Sequence, residues 1–356
     1  MESEEAIPAL RALADQTRLQ VARLLVEGPL SVGEIQEVLG LGQSTVSHHL
    51  KVLSDAGLCG CRREGRVAWY GWESQLSPAR AALKRFVQHH VRALDREAAR
   101  QLKRVFEART EHTRRFFNGD PQGAGAPPAS VKPPAPAVDV VARMMAAAPQ
   151  AEVALDLGCG LGRLIGPLRA RAPRVVGVDQ SPRMLDGARQ HAFERGWHDV
   201  DFRLGSLEHL PIADREAGLA VAHQVLHHVA RPEQALAEAH RALTDGGVLV
   251  VADYLPHDRE WMREEYADVW LGFDPAFVER LFADAGFVDV RLERRAGRGD
   301  QLGMFVAAGR RSEAQPVSVP ASKARPVRSG GRTRAAPRRA PPSTARKRQK
   351  AKEKTR

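Results

Sequence analysis

The apolar positions of this chain change period twice. After Asp15, a residue able to cap a helix, Leu19, Ala22 and Val26 recur at helical spacing until Gly28-Pro29 stops the pattern. Ser31-x-x-Glu34 has capping-box spacing and opens a short helix, Val32–Leu39. Gly40-Leu-Gly42 is a tight turn. In the next segment Val46, Leu50 and Leu53 sit at i, i+4 and i+7, and Gly57 ends it. The period then falls to two. Leu58–Arg63 and Val67–Trp72 read as strands around Glu64-Gly65, a hairpin turn signal. Pro78 opens a long helical segment reaching about Phe116, striped by Leu83, Val87, Val91, Leu94, Ala98, Leu102 and Val105. Such a stripe can face a second copy or serve as an intramolecular strut against the second domain.

From Val153 onward, short apolar runs alternate with helical stretches. Val153–Leu157, Val175–Val178, Val200–Leu204, Ala217–Ala222 and Val248–Ala252 are predicted strands. Arg163–Ala170, Pro182–Arg195, a helix from Pro232 to before Asp245-Gly-Gly, and one from Pro275 closed by Gly286 are predicted between and after them. Phe287–Glu293 and Gly303–Ala308 complete the series, and Val138–Ala148 is a helix ahead of the first strand. The alternation predicts an α/β, doubly wound sheet with helices on both faces. The whole chain is therefore multidomain. Residues 1–116 form an all-α, winged-helix region, 117–137 a Pro/Ala-rich linker, 138–310 the α/β domain and 311–356 a tail.

Charge changes this picture at one end only. The net charge of +11 is concentrated in Arg311–Arg356, where 15 Lys and Arg face two Glu for a net of +13, so the remainder carries −2. The tail lacks the apolar content for a core and reads as a disordered segment drawn to phosphate polymers. Three cysteines exclude a disulfide framework and suit a reducing compartment. No apolar run approaches the ~20 residues needed to span a bilayer, and a cytoplasmic protein with no membrane partner is expected.

Two stretches carry chemistry. In QSTVSHHLKVLSDAGL the face opposite the apolar stripe presents Gln43, Ser44, Thr45, Ser47, His48 and Lys51. A short helix, a glycine turn and a helix with one polar face make a helix-turn-helix, whose second helix can enter a major groove. Arg62, Arg63 and Arg66 cluster at the hairpin tip and could touch phosphates. The ordered run LADQTRLQVARLL…LSVGEIQEVLGLGQSTVSHHLKVLSDAGL…REGRVAWY resembles the ArsR/SmtB winged-helix repressors over roughly Leu10–Trp72. The resemblance implies a double-stranded DNA operator and a homodimer built by the helix after the wing. It departs from the metal-sensing pattern: Ser31 and Gly33 stand where that family places thiolates, and His89, His90 and His112 do not have its last-helix spacing. Cys59-x-Cys61 offers too few ligands, so no metal site is expected.

The second stretch is DLGCGLG, Asp156–Gly162, followed by GVDQSPRML. Strand, glycine turn and helix hold a nucleotide, with Asp179 ending the second strand where a carboxylate can accept from ribose hydroxyls. The turn reads G-x-G-x-G rather than G-x-G-x-x-G. It resembles the class I, Rossmann-like S-adenosylmethionine (SAM) methyltransferases over about Val138–Gly309. The resemblance implies that SAM or S-adenosylhomocysteine (SAH) is held by Asp156, Gly158, Gly160, Gly162, Asp179, Gln180, Met184, Ser206 and Leu207. Such enzymes commonly have Asp where this chain has Ser206 and Gly218, and the aromatic segment that often lids the site is replaced by the linker. His223, His227 and His228 lie at a strand end, where His223 or His227 could be a general base or a structural residue. Tyr254, Trp261, Tyr266, Trp270 and Phe273 could wall a substrate or pack the domain. Two functions are expected to compete. One is a transcriptional regulator whose second domain senses SAM or SAH. The other is a regulator carrying an active methyltransferase for a small-molecule acceptor.

Overall fold

The structure is a computed structural model that describes residues 2–312 apart from 65, 74–75, 92–93, 120–135, 149 and 298. Nearly all of the expected linker and all of the tail beyond Ser312 fall outside those residues. The expected tail began at Arg311, but Arg311 is the last residue of a strand, and its guanidinium donates to the carbonyl of Leu243 (2.6 Å).

The N-terminal half has the helices α1 (Glu2–Leu13), α2 (Gln16–Leu24), α3 (Val32–Leu39) and α4 (Gln43–Asp55) and the strands β1 (Leu30–Ser31), β2 (Cys59–Glu64) and β3 (Val67–Trp72). Local chemistry sets the helix starts. The Asp15 side chain accepts from Arg18 N (2.9 Å). Ser31 and Glu34 form the expected reciprocal box, at 3.3 and 2.7 Å. The strands pair antiparallel in the order β1-β3-β2, making the winged sheet.

The single long helix expected from Pro78 is two helices, α5 (Pro78–His90) and α6 (Arg96–Asn118). Val91 is extended, and Asp95 accepts from Ala98 N (2.8 Å) to cap a new helix. The continuous apolar spacing hid this break. The whole stripe, Leu83 to Val105, packs into the core of its own winged helix. Within the chain it serves as an intramolecular packing stripe.

The second half begins with α7 (Pro136–Ala147) and contains β4 (Val153–Leu157), α8 (Ile165–Arg169), β5 (Arg174–Asp179), α9 (Pro182–Glu194), β6 (Asp201–Leu204), β7 (Ala217–His223), α10 (Pro232–Ala242), β8 (Leu243–Tyr254), α11 (Trp261–Glu265), α12 (Pro275–Asp284), β9 (Phe287–Arg295) and β10 (Met304–Arg311). These strands form a sheet in the order β6-β5-β4-β7-β8-β10-β9, parallel except where β10 meets β8 and β9. β8 starts earlier than expected. Its ladder opens at Leu243 and shifts register before Val248, so Asp245-Gly-Gly is a bulge within the strand. β4 and β5 are buried along nearly their whole length, as parallel strands covered on both faces must be.

The two halves form one compact unit, and each core borrows from the other. Trp69 of β3 is buried in the α/β core, and Ala230 is buried in the winged-helix core. Trp69 packs against Trp270 in a tilted pair with ring centroids 4.7 Å apart. Trp270 and Phe273 are fully buried, so these two aromatics pack the junction rather than wall a substrate. Burial of one such ring contributes about 1.5–3 kcal/mol.

Candidate functional site: a nucleotide cleft roofed by a winged-helix strut

The chain leaves β4 toward β5 on one side and returns to β7 on the other. The crevice at the strand ends therefore lies at the reversal of strand order, where open α/β sheets bind ligands. A cavity of about 350 Å³ occupies it. Asp156, Gly158, Gly160, Asp179, Gln180, Met184, Ser206 and Leu207 all line it. Gly162 is not part of that lining. It turns the chain into α8 at φ 76°, with the side chains of Ile165 and Ala188 closing around it.

The glycine turn is bare for two reasons. Gly158 has φ 70°, and a Cβ there would lie 2.2 Å from Val225. Gly160 has φ 50° and open space where its Cβ would be. Its N–H donates to Asp179 Oδ2 (2.9 Å), while Asp179 Oδ1 accepts from Ser181 N (2.9 Å). Burial raises the Asp179 carboxyl above its ordinary range, and these backbone donors work against the rise. Burial, with the Asp179 carboxylate close by, pushes Asp156 up to about 7. Asp156 Oδ2 accepts no hydrogen bond among the described residues. Two buried carboxyl groups and an open glycine backbone call for a ligand that carries both positive charge and hydroxyl donors. SAM supplies an ammonium, a sulfonium and two ribose hydroxyls; SAH supplies all but the sulfonium.

Several lining residues were not expected. Glu208, nearly buried, stands two residues beyond Ser206 and accepts from Arg231 Nε (3.4 Å). The carboxylate missing at position 206 is thus offered from 208, with Ser206 Oγ accepting from Glu208 N (3.2 Å). Ser-x-Glu was the available signal. Gly218 is not among the lining residues; it lets Ala151 approach the start of β7.

The larger surprise is the roof. Thr110 and Phe117 of α6 line the cavity. Ser181 Oγ donates toward Asn118 Oδ1 (2.7 Å) and lies 3.2 Å from Phe117 O, and the Phe117 ring stands edge-on to His228 at 4.9 Å. A cover for the site was expected to be missing. It comes instead from the helix before the linker. Nearer its start, α6 is rooted in the winged-helix core through Leu102, Val105 and Phe106. Between these ends Arg109 holds both carboxylate oxygens of Glu34 (2.7 Å each) and lies over Trp69 (4.7 Å) and Trp270 (5.5 Å).

The histidines separate in space. His223 and His228 line the cavity, and burial lowers both below the ordinary imidazole range. His227 does not line it. Its Nδ1 is 2.6 Å from Asp253 Oδ1 and its Nε2 is 3.7 Å from Asp268 Oδ1. Burial opposes its charged form, but the two carboxylates outweigh burial and push it up to about 9. Lying off the cavity wall, His227 is poorly placed to act as a base toward a ligand in the cleft.

On the DNA-reading side, Gln43, Ser44, Thr45, Ser47, His48 and Lys51 are all exposed on α4, while Val46, Leu50 and Leu53 are buried beneath them. Arg63 and Arg66 are exposed on the hairpin. Arg62 is the exception. It reaches back, pairs with Glu64 (2.6 Å) and lies over the Phe277 ring (4.6 Å) and the Trp270 ring (5.4 Å). A guanidinium held there does not reach DNA. Glu64, 3% exposed, in turn accepts from Leu271 N (3.1 Å) and Arg263 Nη2 (3.2 Å).

Comparison with known proteins agrees with both halves. Residues 15–59 match the bacterial regulatory protein arsR family, and residues 155–251 match the methyltransferase domain family.

The chain joins an arsR-type winged helix to a methyltransferase domain.

An uncharacterized 37.1 kDa protein in transposon TN4556 of Streptomyces fradiae is 44% identical over 105 residues, 29% of this chain and 30% of that one. An arsenite methyltransferase of Halobacterium salinarum is 30% identical over 118 residues, 31% of this chain and 29% of that one. The transcriptional activator HlyU of Vibrio cholerae is 40% identical over 68 residues, 19% of this chain and 63% of that one. The chain spans less than a third of the first two and under two thirds of the last. The winged helix is an arsR-type DNA-binding domain, and the match of the second half to a methyltransferase domain supports SAM or SAH binding in the cleft. No helix among the described residues is long and apolar enough to cross a membrane.

Proposed function

We propose that this chain is a cytoplasmic, homodimeric transcriptional repressor whose grip on its operator is set by SAM or SAH in the methyltransferase cleft. One observation carries the reading: α6 belongs to the winged-helix core at Leu102–Phe106 and roofs the cleft at Thr110 and Phe117. A ligand that favours one position of α6 favours one placement of the winged helix, and the coupling is reciprocal. Ile7 and Leu10 on α1 and Phe86 on α5 are large exposed apolar groups on two helices that pack together, and they support a two-copy contact there. The test is calorimetry of SAM and of SAH with and without an operator selected from random DNA. Operator should change the dissociation constant of one ligand by the factor by which that ligand changes operator affinity. Equal constants in all conditions would remove the sensor reading.

A second reading is an active methyltransferase acting on a small molecule. It is favoured by His223, whose neutral imidazole on the cavity wall can accept a proton. Arsenite, the substrate named for the Halobacterium relative, does not suit this site. The domain holds only Cys159, which is buried and whose thiol burial pushes up, away from the nucleophilic thiolate.

A further inference from the structure

Beneath the roof of the cleft lies a group of side chains that neither reading uses. His227 and His228 follow β7, and Asp268 lies in the loop after α11. One ligand atom from each of the three lies within 4.8 Å of the other two. His227 Nε2 and His228 Nδ1 are each 3.7 Å from Asp268 Oδ1. The Asp268 side chain is 1% exposed, yet neither of its oxygens accepts a hydrogen bond among the described residues. A buried carboxylate in that condition is costly and calls for a cationic partner at bonding distance.

We propose that His227, His228 and Asp268 form a site for a divalent transition cation of the zinc class. A tetrahedral zinc with bonds of about 2.0–2.2 Å holds its ligand atoms about 3.4 Å apart, so small rotations close this group onto an ion. Two imidazoles and one carboxylate suit zinc, cobalt or nickel; magnesium and calcium prefer an all-oxygen shell of six or more. Three protein ligands leave a fourth position for water or for a molecule in the cleft, whose wall includes His228.

The surroundings are arranged as metal sites require. Asp253 Oδ1, 2.6 Å from His227 Nδ1, accepts a hydrogen bond from the N–H at that nitrogen and leaves the Nε2 lone pair toward Asp268. Asp253 is itself fully buried and also accepts from the backbone N–H of His227 (3.2 Å) and of Tyr254 (2.8 Å). The two ligand-bearing segments are stitched together, because His227 O accepts from Val269 N (2.9 Å) and Trp270 N (3.0 Å). Above them the hydroxyl of Thr113 on α6 lies 3.4 Å from both His228 O and Ala267 O. The site therefore joins the β7 end, the loop after α11 and the α6 roof at one point. It lies apart from Cys59 and Cys61, which sit on the wing strand.

The experiment loads the full chain, stripped with chelator, with Co2+ and with Zn2+. One equivalent of Co2+ should give the strong visible bands of a tetrahedral ion without the near-ultraviolet band of a cobalt–sulfur bond, and Zn2+ should displace it. Asp268→Asn keeps the shape of the side chain and should weaken Zn2+ binding by about 100-fold or more. Asp253→Asn, which removes only the orienting partner, should weaken it about 10–100-fold. Cys59→Ser with Cys61→Ser should leave affinity and spectrum unchanged. The proposal is overturned by any of three results: no stoichiometric binding by the wild type, a cobalt–sulfur band lost with the cysteines, or full affinity in Asp268→Asn. Because Co2+ spectra of the wild type already discriminate, a variant that fails to fold does not shield the idea.

Discussion

The recognition helix and the wing belong to the same DNA-reading domain, yet they are held differently. On α4 the polar face from Gln43 to Lys51 is open, and Val46, Leu50 and Leu53 beneath it pack into the winged-helix core. The hairpin is clamped from the other half of the molecule. Glu64 is bonded to Leu271 and Arg263, Arg62 lies under Trp270 and Phe277, and Trp69 is part of the α/β core. The difference separates two tasks. The recognition helix is held within its own domain, whereas the wing is held by the methyltransferase half.

The clamp is the place to break this comparison hardest. Glu64→Gln leaves the half-buried Arg62 and Arg263 without their carboxylate, and loss of one partner of a fully buried pair costs about 3–5 kcal/mol, an upper limit here. The melting temperature should fall accordingly, and any dependence of operator affinity on SAM or SAH should vanish with it. A Glu64→Gln protein as stable as wild type would show that the wing is not held from the second half.

The opposite side of the comparison is tested on α4. Ser47→Ala with His48→Ala removes two candidate base contacts, each worth about 1–3 kcal/mol of discrimination. Competition between operator and bulk DNA should show site preference erased and stability unchanged. Footprints like those of wild type would mean that another face reads the bases.

A smaller effect sharpens the link to the cleft. Asp156 has its carboxyl raised to about 7 by burial and by Asp179. Its contribution to stability is therefore present below its ordinary carboxylate range and is lost as pH rises through 7. A ligand cation benefits from the carboxylate form, so SAM affinity should rise by about tenfold at most between pH 6 and pH 8. Adenosine, which lacks the charged groups, should show no such rise by calorimetry. Equal pH profiles for the two would place the cation elsewhere.

The smallest effect belongs to the exposed wing tip. Arg66→Ala should weaken binding to all DNA a few-fold and lower the salt slope by about 1. Arg62→Ala should leave that slope alone and lower stability instead, because Arg62 lies against aromatic rings of the α/β half. A matching change of slope for both would return Arg62 to the DNA surface.

How much of this was legible depends on the range of the interaction. Asp15 and the Ser31–Glu34 box act within one turn, so the sequence shows them directly. Asp156, Gly158, Gly160 and Asp179 follow from the ends of two apolar runs, because parallel strands place their C-terminal ends side by side. Glu208 was missed since the usual position, 206, holds a serine, and only the fold of the 206–209 turn brings the later carboxylate to the cavity. The break at Val91–Asp95 was obscured because apolar spacing ran straight through it, although Asp95 and Glu97 were the cap signals available.

By itself, the sequence determined that an arsR-type winged helix precedes a methyltransferase-type sheet, that α4 has one apolar and one polar face, and that the glycine turn and Asp179 stand at the strand ends. Those properties rest on periodicity, caps and glycine turns, which neighbouring residues set. Only the tertiary structure decided that α6 roofs the cleft, that Arg62 turns inward, and that His227, His228 and Asp268 meet in one buried group. These depend on contacts between residues 40 to 215 positions apart, such as His228 with Asp268 or Arg62 with Phe277. No local pattern encodes such contacts, because they arise when two apolar surfaces find a shared core and carry their polar groups with them.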